Sequence, residues 1–408
     1  MAIGVLRASL FCVLATLVWA GNDNPPSSSS NSSAPAVGSN VACEDTDGKR
    51  PACTGTCPVS CPQQCLVSCP GCRTFCRPDQ VRVRSTKQPV RPPAMFIFGD
   101  GNLDVGNIKM VAMGSWERPD DETLIDWVQS RTDGDNAAQF IAKFMGFQMS
   151  PPAYLTLPNR IRVHQGFIGV NYACANAGLR DPEPDIDGWP TIPMSQQLQQ
   201  FAETKAQMEA KLGAQAVRNT ITKSFFLIEV GGVDLAYWTE VQDILALYGD
   251  TIRSMYNMGA RRFGLINVGL IGNMPPAVDG AHGWMYQGVG GKLDPADMNK
   301  HAVEFNDGLK PLLGGLAKTL PGLRYSIADM YTFTQTVFAD PSAYGFEDIH
   351  NPCIQDDIGF KCDNPAQRWY WDDNGITQHA ANLAATAFFY GPPQFTAPVI
   401  FRSLLDVK

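Results

Sequence analysis

The stretch FIFGDGNLDVGN, residues 96–107, joins a short apolar run directly to a turn that is rich in Gly and Asp. Such a run fits a strand that is buried on both faces of a sheet. A tight turn at the end of a strand is a common position for a catalytic nucleophile. The tip of this turn is Gly101, which has no side chain. The stretch therefore predicts a site-forming turn and leaves open whether that site is active.

Other apolar bursts repeat this pattern along the chain. They are AMFIFG (94–99), FFLIEVGG (225–232), FGLINVGL (263–270) and LRYSIADMY (323–331), and helical spacing fills 194–213, 239–260 and 295–320. Strands that alternate with helices predict an α/β fold with a parallel sheet covered on both sides. Ligands bind at the carboxyl ends of such strands, where GDG (99–101) and GGVD (231–234) are expected.

Composition and motifs exclude several function classes. The 408 residues carry a net charge of -8, whereas a nucleic-acid-binding domain is normally basic. The glycines at 99 and 101 do not open a dinucleotide-binding G-x-G-x-x-G turn, because Asp104 takes the last position. EPDIDG (183–188) begins like a calcium loop, but its twelfth position is Met194 rather than Glu. We therefore expect no nucleic-acid partner, no cofactor and no metal.

The N-terminal residues 1–20 have the pattern of a signal peptide. Arg7 precedes an apolar run over 8–20, and small residues stand where cleavage before Gly21 requires them. The run is shorter than the roughly 20 residues that cross a bilayer; an uncleaved anchor is the alternative. No later stretch predicts a transmembrane helix, and the C-terminus lacks a lipidation signal. We expect a soluble mature protein, secreted to the extracellular space or the cell wall.

Three segments precede the large domain, which is expected over 94–408. Residues 21–42 read as a disordered Ser/Asn/Pro spacer with one N-glycosylation acceptor at Asn31. Residues 43–76 form a Cys/Pro-rich module. Its eight cysteines are Cys43, Cys53, Cys57, Cys61, Cys65, Cys69, Cys72 and Cys76. Zinc binding competes with disulfides here, but the module has no His, and the export signal favours four disulfides of unknown pairing.

The linker over 77–93 carries five Lys or Arg against one Asp. Such a segment is most simply a solvated connection between the module and the large domain. The alternative is an electrostatic contact with an acidic cell-wall polysaccharide.

Six blocks in order give the chain its resemblance to a known family. They are FIFGDGNLDVGN (96–107), GVNYACANAGLRD (169–181), FFLIEVGGVDLAYW (225–238), MYNMGARRFGLINVGLIGNMPP (255–276), ADPSAYGFED (339–348) and YWDDNGITQHAANLAA (370–385). Over 94–394 the chain resembles the plant GDSL esterase/lipases of the SGNH hydrolase superfamily. The resemblance implies a flavodoxin-like, three-layer fold with a central parallel sheet. It also implies a disulfide between Cys353 and Cys362, which would leave Cys174 as an odd, buried thiol.

The same resemblance implies a catalytic Ser in the first block, F-x-F-G-D-S-L-x-D-x-G-N, and an Asp-x-x-His pair in the last. Backbone N–H groups of the first two blocks and an Asn side chain of the third would hold the oxyanion. At these positions this chain has Gly101 for Ser, Ala175 and Asn176 for two Gly, Val233 for Asn and Gly375 for His, with Asp372 retained.

These departures predict a protein that does not hydrolyse esters by the serine mechanism. Loss of the nucleophile or base of a triad costs on the order of 10⁶-fold in rate. His379 is expected to be structural rather than a substitute base. The favoured hypothesis is an inactive, secreted GDSL-like protein that binds a cell-wall polysaccharide, an acyl ester or another protein. An active ester hydrolase or acyltransferase with non-standard residues is the first alternative; a structural wall protein that acts through the Cys-rich module is another.

Overall fold

The computed structural model describes residues 91–115, 132–157, 167–181, 191–237, 240–275, 294–355 and 360–406. It also gives the backbone of short strands at Asn40–Cys43, Cys53–Thr56, Cys65–Ser68, Arg73–Cys76, Gln287–Gly288 and Gly291–Lys292. The expected signal peptide (1–20), the spacer up to residue 39 with Asn31, the linker over 77–90 and the acidic loop at 183–188 lie outside the described residues.

A mostly parallel sheet forms the centre of the large domain. Its strands are β1 Met95–Gly99, β2 Gly169–Asn171, β3 Phe225–Glu229, β4 Arg262–Ile266, β5 Arg324–Ala328 and β6 Thr396–Ala397. Their order is β2-β1-β3-β4-β5-β6, with β6 alone antiparallel. The first five strands follow the flavodoxin-like order 2-1-3-4-5. The predicted α/β fold class is confirmed.

Helices cover both faces of this sheet. They are α1 Asn107–Ser115, α2 Ala137–Phe144, α3 Met194–Leu212, α4 Ala214–Lys223, α5 Gly232–Tyr237, α6 Val241–Asn257, α7 Pro295–Thr319, α8 Met330–Ala339 and α9 Gln378–Tyr390. Helices α3, α4, α6 and α7 pack into one core cluster, while α2, α8 and α9 pack into the other. The helices expected at 194–213, 239–260 and 295–320 correspond to α3, α6 and α7.

Strand β1 shows why the opening stretch predicts a central strand. Phe96 and Phe98 pack into one core cluster, whereas Met95 and Ile97 pack into the cluster on the opposite face. All four side chains are fully buried. Successive side chains of a strand point to opposite faces, so an uninterrupted apolar run is what a strand between two helical layers requires.

The cysteines of the large domain are accounted for. Cys353 and Cys362 form a disulfide, with Cα atoms 4.8 Å apart. It closes a hairpin between Ile354–Gln355 and Phe360–Lys361. Cys174 is a buried free thiol, and burial raises its pKa far above the ordinary thiol value.

In the part of the Cys/Pro module whose backbone is described, Asn40–Cys43 pairs antiparallel with Cys53–Thr56, and Cys65–Ser68 with Arg73–Cys76. Among the described residues, no helix is both long and apolar enough to cross a membrane.

Candidate functional site

A cavity of about 180 Å³ opens at the carboxyl ends of β1 and β3. This is the switch point of the sheet, because the chain passes from β1 to β2 on one side and then to β3 on the other. The cavity brings together Gly101, Asn176, Val233 and Gly375 from four distant segments. These are four of the six positions at which the resemblance places catalytic groups. The other two, Ala175 and Asp372, are buried and do not line the cavity.

The turn after β1 is fixed by two backbone requirements. Gly99 has φ +118°, and a Cβ atom there would lie 1.8 Å from the carbonyl oxygen of Glu229. Only glycine fits such a close approach in this conformation. The buried side chain of Gln197 accepts from the Gly99 N–H at 2.8 Å and donates from Nε2 to the Gly99 carbonyl at 2.9 Å. Helix α3 thus holds the peptide groups that precede the nucleophile position.

Asp104 ties the first sequence block to the second. Its carboxylate accepts from the backbone N–H groups of Asn107 at 2.7 Å and Ile108 at 2.9 Å, at the start of α1. It also accepts from the N–H of Ala175 at 3.1 Å. Burial raises the pKa of Asp104, and these backbone donors oppose that rise. Asp104 is therefore a structural brace.

Two of the backbone donors that could hold an oxyanion, those of Gly101 and Ala175, are engaged elsewhere. The N–H of Gly101 donates to the carboxylate of Asp100 at 2.6 Å, and the N–H of Ala175 donates to Asp104. Asn176 adopts φ +64°, the left-handed region that glycine enters freely and Asn tolerates better than most residues. The loop therefore keeps a glycine-like path while it adds a polar side chain to the cavity wall.

No imidazole stands at the position of the general base. Gly375 lines the cavity at that point. The retained Asp372 accepts backbone hydrogen bonds from Asn374 at 2.8 Å and from Gly375 at 2.5 Å, so its carboxylate braces the turn. Nε2 of His379 lies 2.8 Å from the Tyr344 carbonyl. His379 is not among the described residues that line the cavity.

Glu229 is a cavity residue that sequence reasoning missed. It ends β3, pairs with Gly99 in the sheet and accepts a 2.8 Å hydrogen bond from the side chain of Asn102. Desolvation raises the pKa of Glu229 to about 7; the Asn102 hydrogen bond opposes that rise, and the charge of Asp100 adds to it. Asn102 stands where the family's first block has Leu. The sequence does contain a signal for this residue, because Glu229 is the charged residue in the otherwise apolar run FFLIEVGG (225–232).

Polar and apolar side chains share the wall of the cavity. Asp100, Asn102 and Glu229 adjoin one another in this wall. Leu270, Ile271, Met274, Met330 and Trp369 supply apolar wall. The Thr191 hydroxyl, also in the wall, donates to the Ala175 carbonyl at 2.7 Å. In the described ranges, no group of three or more His, Cys, Asp or Glu side chains is arranged to hold a metal ion.

The sheet order and the four converging segments define an α/β protein of the SGNH hydrolase class. A family model described as GDSL-like Lipase/Acylhydrolase matches residues 95–388, and the chain belongs to this family. It is 28% identical over 285 residues to the anther-specific proline-rich protein APG of Brassica napus, covering 64% of this chain and 61% of that protein. It is 26% identical over 347 residues to GDSL esterase/lipase 6 of Arabidopsis thaliana, covering 78% of this chain and 91% of that protein.

Proposed function

We propose that this protein is a secreted, non-catalytic member of the GDSL family that binds a small ligand in the cavity. One observation carries the proposal: Gly101, Val233 and Gly375 line a single open cavity at the positions where the family has its nucleophile, amide donor and base. The losses lie at positions that act as a unit, so their effects on rate do not add. Loss of the nucleophile or base alone removes on the order of 10⁶-fold in rate.

The cavity itself supports a binding role. Ile376 and Val233 line it without filling it, and its volume of about 180 Å³ remains. A cavity of roughly 150 Å³ holds a benzene molecule. The braces around the site, Gln197 and Asp104, are all hydrogen-bonded. The site thus retains a defined shape for a ligand.

Two measurements on the intact protein test the loss of catalysis. The wild-type chain is incubated with p-nitrophenyl acetate and butyrate and, separately, with a fluorophosphonate probe. We expect hydrolysis at the rate of a heat-denatured control and no covalent labelling. Turnover above that control, or labelling at one residue, would overturn the proposal.

The alternative, an active hydrolase with non-standard residues, is favoured by one observation. Glu229 lines the cavity and has a pKa of about 7, the range in which a carboxylate serves as a general base. In that case Glu229 would activate a water molecule. The same esterase assay decides: turnover by the wild type that is lost in Glu229→Gln would establish the alternative.

The extracellular location rests on the signal pattern of residues 1–20 and on the Cys353–Cys362 disulfide, which suits an oxidising compartment. Expression of the full chain in plant cells tests it. We expect the protein in the extracellular fluid or wall fraction with Gly21 as its first residue. Retention inside the cell with an intact residue 1 would contradict secretion.

Binding to an acidic polysaccharide would depend on the basic linker. The guanidinium of Arg91 lies 5.3 Å from the Phe147 ring centroid and so belongs to the folded domain. A full-length variant should therefore change only Arg77, Arg82, Arg84 and Lys87 to Gln. We expect pectin to retain the wild type and release this variant at lower salt. Equal salt elution of both proteins would exclude the linker contact.

A further inference from the structure

We propose that the cavity binds a small primary amine with an apolar body, whose ammonium group is held beside the carboxylates of Glu229 and Asp100. The inference rests on the proposed ligand-binding function and names the chemical class of the ligand. Three features of the cavity carry it: the Asn102–Glu229 pair, the charge balance of the wall and the volume.

The Asn102–Glu229 pair is a built feature of the cavity wall. The register of β1 and β3 places Glu229 beside Gly99, and the Asp100 N–H donates to the Glu229 carbonyl at 2.9 Å. The side chain of Asn102 then donates to Oε1 of Glu229 at 2.8 Å, which orients the carboxylate. A Leu at position 102, as in the family block, has no polar group with which to make this contact. The pair therefore gives the cavity an oriented acceptor beside the position that has lost its nucleophile.

The charge balance of the wall favours a cation beside Glu229. Besides Glu229, the charged or titratable groups that the described part of the chain places in the wall are Asp100, Arg180, Tyr237 and Tyr370. Arg180 is the one cation among these described residues, and its guanidinium lies 3.8 Å from the carboxylate of Asp243. The family's imidazole, which becomes positively charged during catalysis, is replaced here by Gly375. An ammonium group would offer up to three donors to the carboxylates of Glu229 and Asp100.

The volume and the apolar wall limit the rest of the ligand. About 180 Å³ accommodates one aromatic ring with a short chain, since roughly 150 Å³ suffices for benzene. Met274, Met330 and Trp369 provide apolar surface for that ring. An anionic ligand of the same size would place its charge beside Asp100 and Glu229, where like charges repel.

Three probes with the same ring and different end groups test the inference: 2-phenylethylamine, 2-phenylethanol and 3-phenylpropanoate. Calorimetric titration of the full-length protein at pH 8 should give an affinity for the amine at least about tenfold above that for either other probe. At pH 6 the affinity for the amine should fall about tenfold, because a group with a pKa of about 7 is about ten-elevenths ionised at pH 8 and one-eleventh at pH 6. The amine itself stays protonated at both pH values, as an alkylammonium with a pKa of about 10.4 does.

Two variants separate recognition from folding. Glu229→Gln should lose most of the amine affinity and its pH dependence while its unfolding midpoint stays near that of the wild type. Glu304→Gln, an exposed Glu on α7 outside the cavity, should bind like the wild type. The inference is overturned if the alcohol or the acid binds as well as the amine, if no probe binds, or if Glu229→Gln binds the amine unchanged. None of these outcomes affects the proposed loss of catalysis, which fails only if the wild type turns over or is labelled.

Discussion

Gln197 bonds both polar groups of the Gly99 backbone, accepting from its N–H and donating to its carbonyl. The same amide also donates to the Ile192 carbonyl at 2.9 Å. One side chain of helix α3 therefore joins the end of β1 to the loop that enters α3. All three hydrogen bonds are buried, so the geometry of the site depends on a residue that touches neither a ligand nor a reacting atom.

Removal of this amide should destabilise the protein. Gln197→Ala leaves the buried N–H of Gly99 without its partner, at a cost of about 1–3 kcal/mol, and removes one hydrogen bond each from the carbonyls of Gly99 and Ile192, so we expect a total loss of about 2–4 kcal/mol. Urea unfolding followed by tryptophan fluorescence measures it. Gln196→Ala, an exposed neighbour on the same helix, is the matched control and should change stability by less than about 0.5 kcal/mol. Equal effects of the two variants would contradict the role of Gln197.

Gly99→Ala should prevent the native turn. The added methyl group would overlap the Glu229 carbonyl oxygen at 1.8 Å, and the backbone has φ +118°. We expect no soluble folded protein, or a far lower unfolding midpoint. In contrast, Gly315→Ala in helix α7 meets no atom within 4 Å and should stabilise the protein by about 0.5–1 kcal/mol. A folded Gly99→Ala variant of normal stability would show that this close approach is wrong.

The left-handed conformation of Asn176 predicts which substitutions at this position preserve the stability of the protein. Asn176→Gly should be neutral or slightly stabilising, because glycine adopts φ +64° without steric cost. Asn176→Val should lose about 1–2 kcal/mol, the cost of a left-handed backbone with a bulky side chain. Thermal unfolding of both variants provides the comparison. Similar midpoints for Gly and Val would indicate that the backbone is not left-handed here.

Restoration of the missing groups should recover reactivity only in combination. Gly101→Ser supplies a hydroxyl without a base, and Gly375→His supplies a base without a nucleophile. Both single variants should remain unlabelled by the fluorophosphonate probe. The double variant, with Asp372 already in place, should be labelled at position 101, as mass spectrometry would show. Labelling of Gly101→Ser alone would mean that another group, such as Glu229, already activates this position.

The backbone register of the Cys/Pro module predicts two of its disulfides. Cys43 lies opposite Cys53, and Cys65 lies opposite Cys76. Directly opposed residues of antiparallel strands have Cα atoms about 4.5–5.5 Å apart, within the range a disulfide needs. We expect these two bonds, and bonds among Cys57, Cys61, Cys69 and Cys72. Partial reduction with tandem mass spectrometry of the unreduced protein identifies the pairs; a bond between Cys43 and any other partner would contradict the register.

The sequence by itself determined the fold and showed which catalytic side chains of the family this chain lacks. Apolar runs such as residues 95–99 require burial on both faces, which only a sheet between two helical layers provides. The ordered blocks also located Gly101, Val233 and Gly375, because a missing side chain is visible in any sequence that matches the family pattern. The assignments of the segments before residue 94 remain predictions.

Only the tertiary structure decided what surrounds Gly101, the position at which the family has its catalytic Ser. The contact between Asn102 and Glu229 spans 127 positions in the chain, and nothing local indicates that the two side chains meet. The raised pKa of Glu229 has the same origin, because desolvation depends on which distant segments cover a group. The left-handed turn at Asn176 and the use of Asp372 as a brace are likewise set by the surrounding backbone. Residue types are local properties of the chain, whereas burial and hydrogen-bond partners arise only when distant segments pack together.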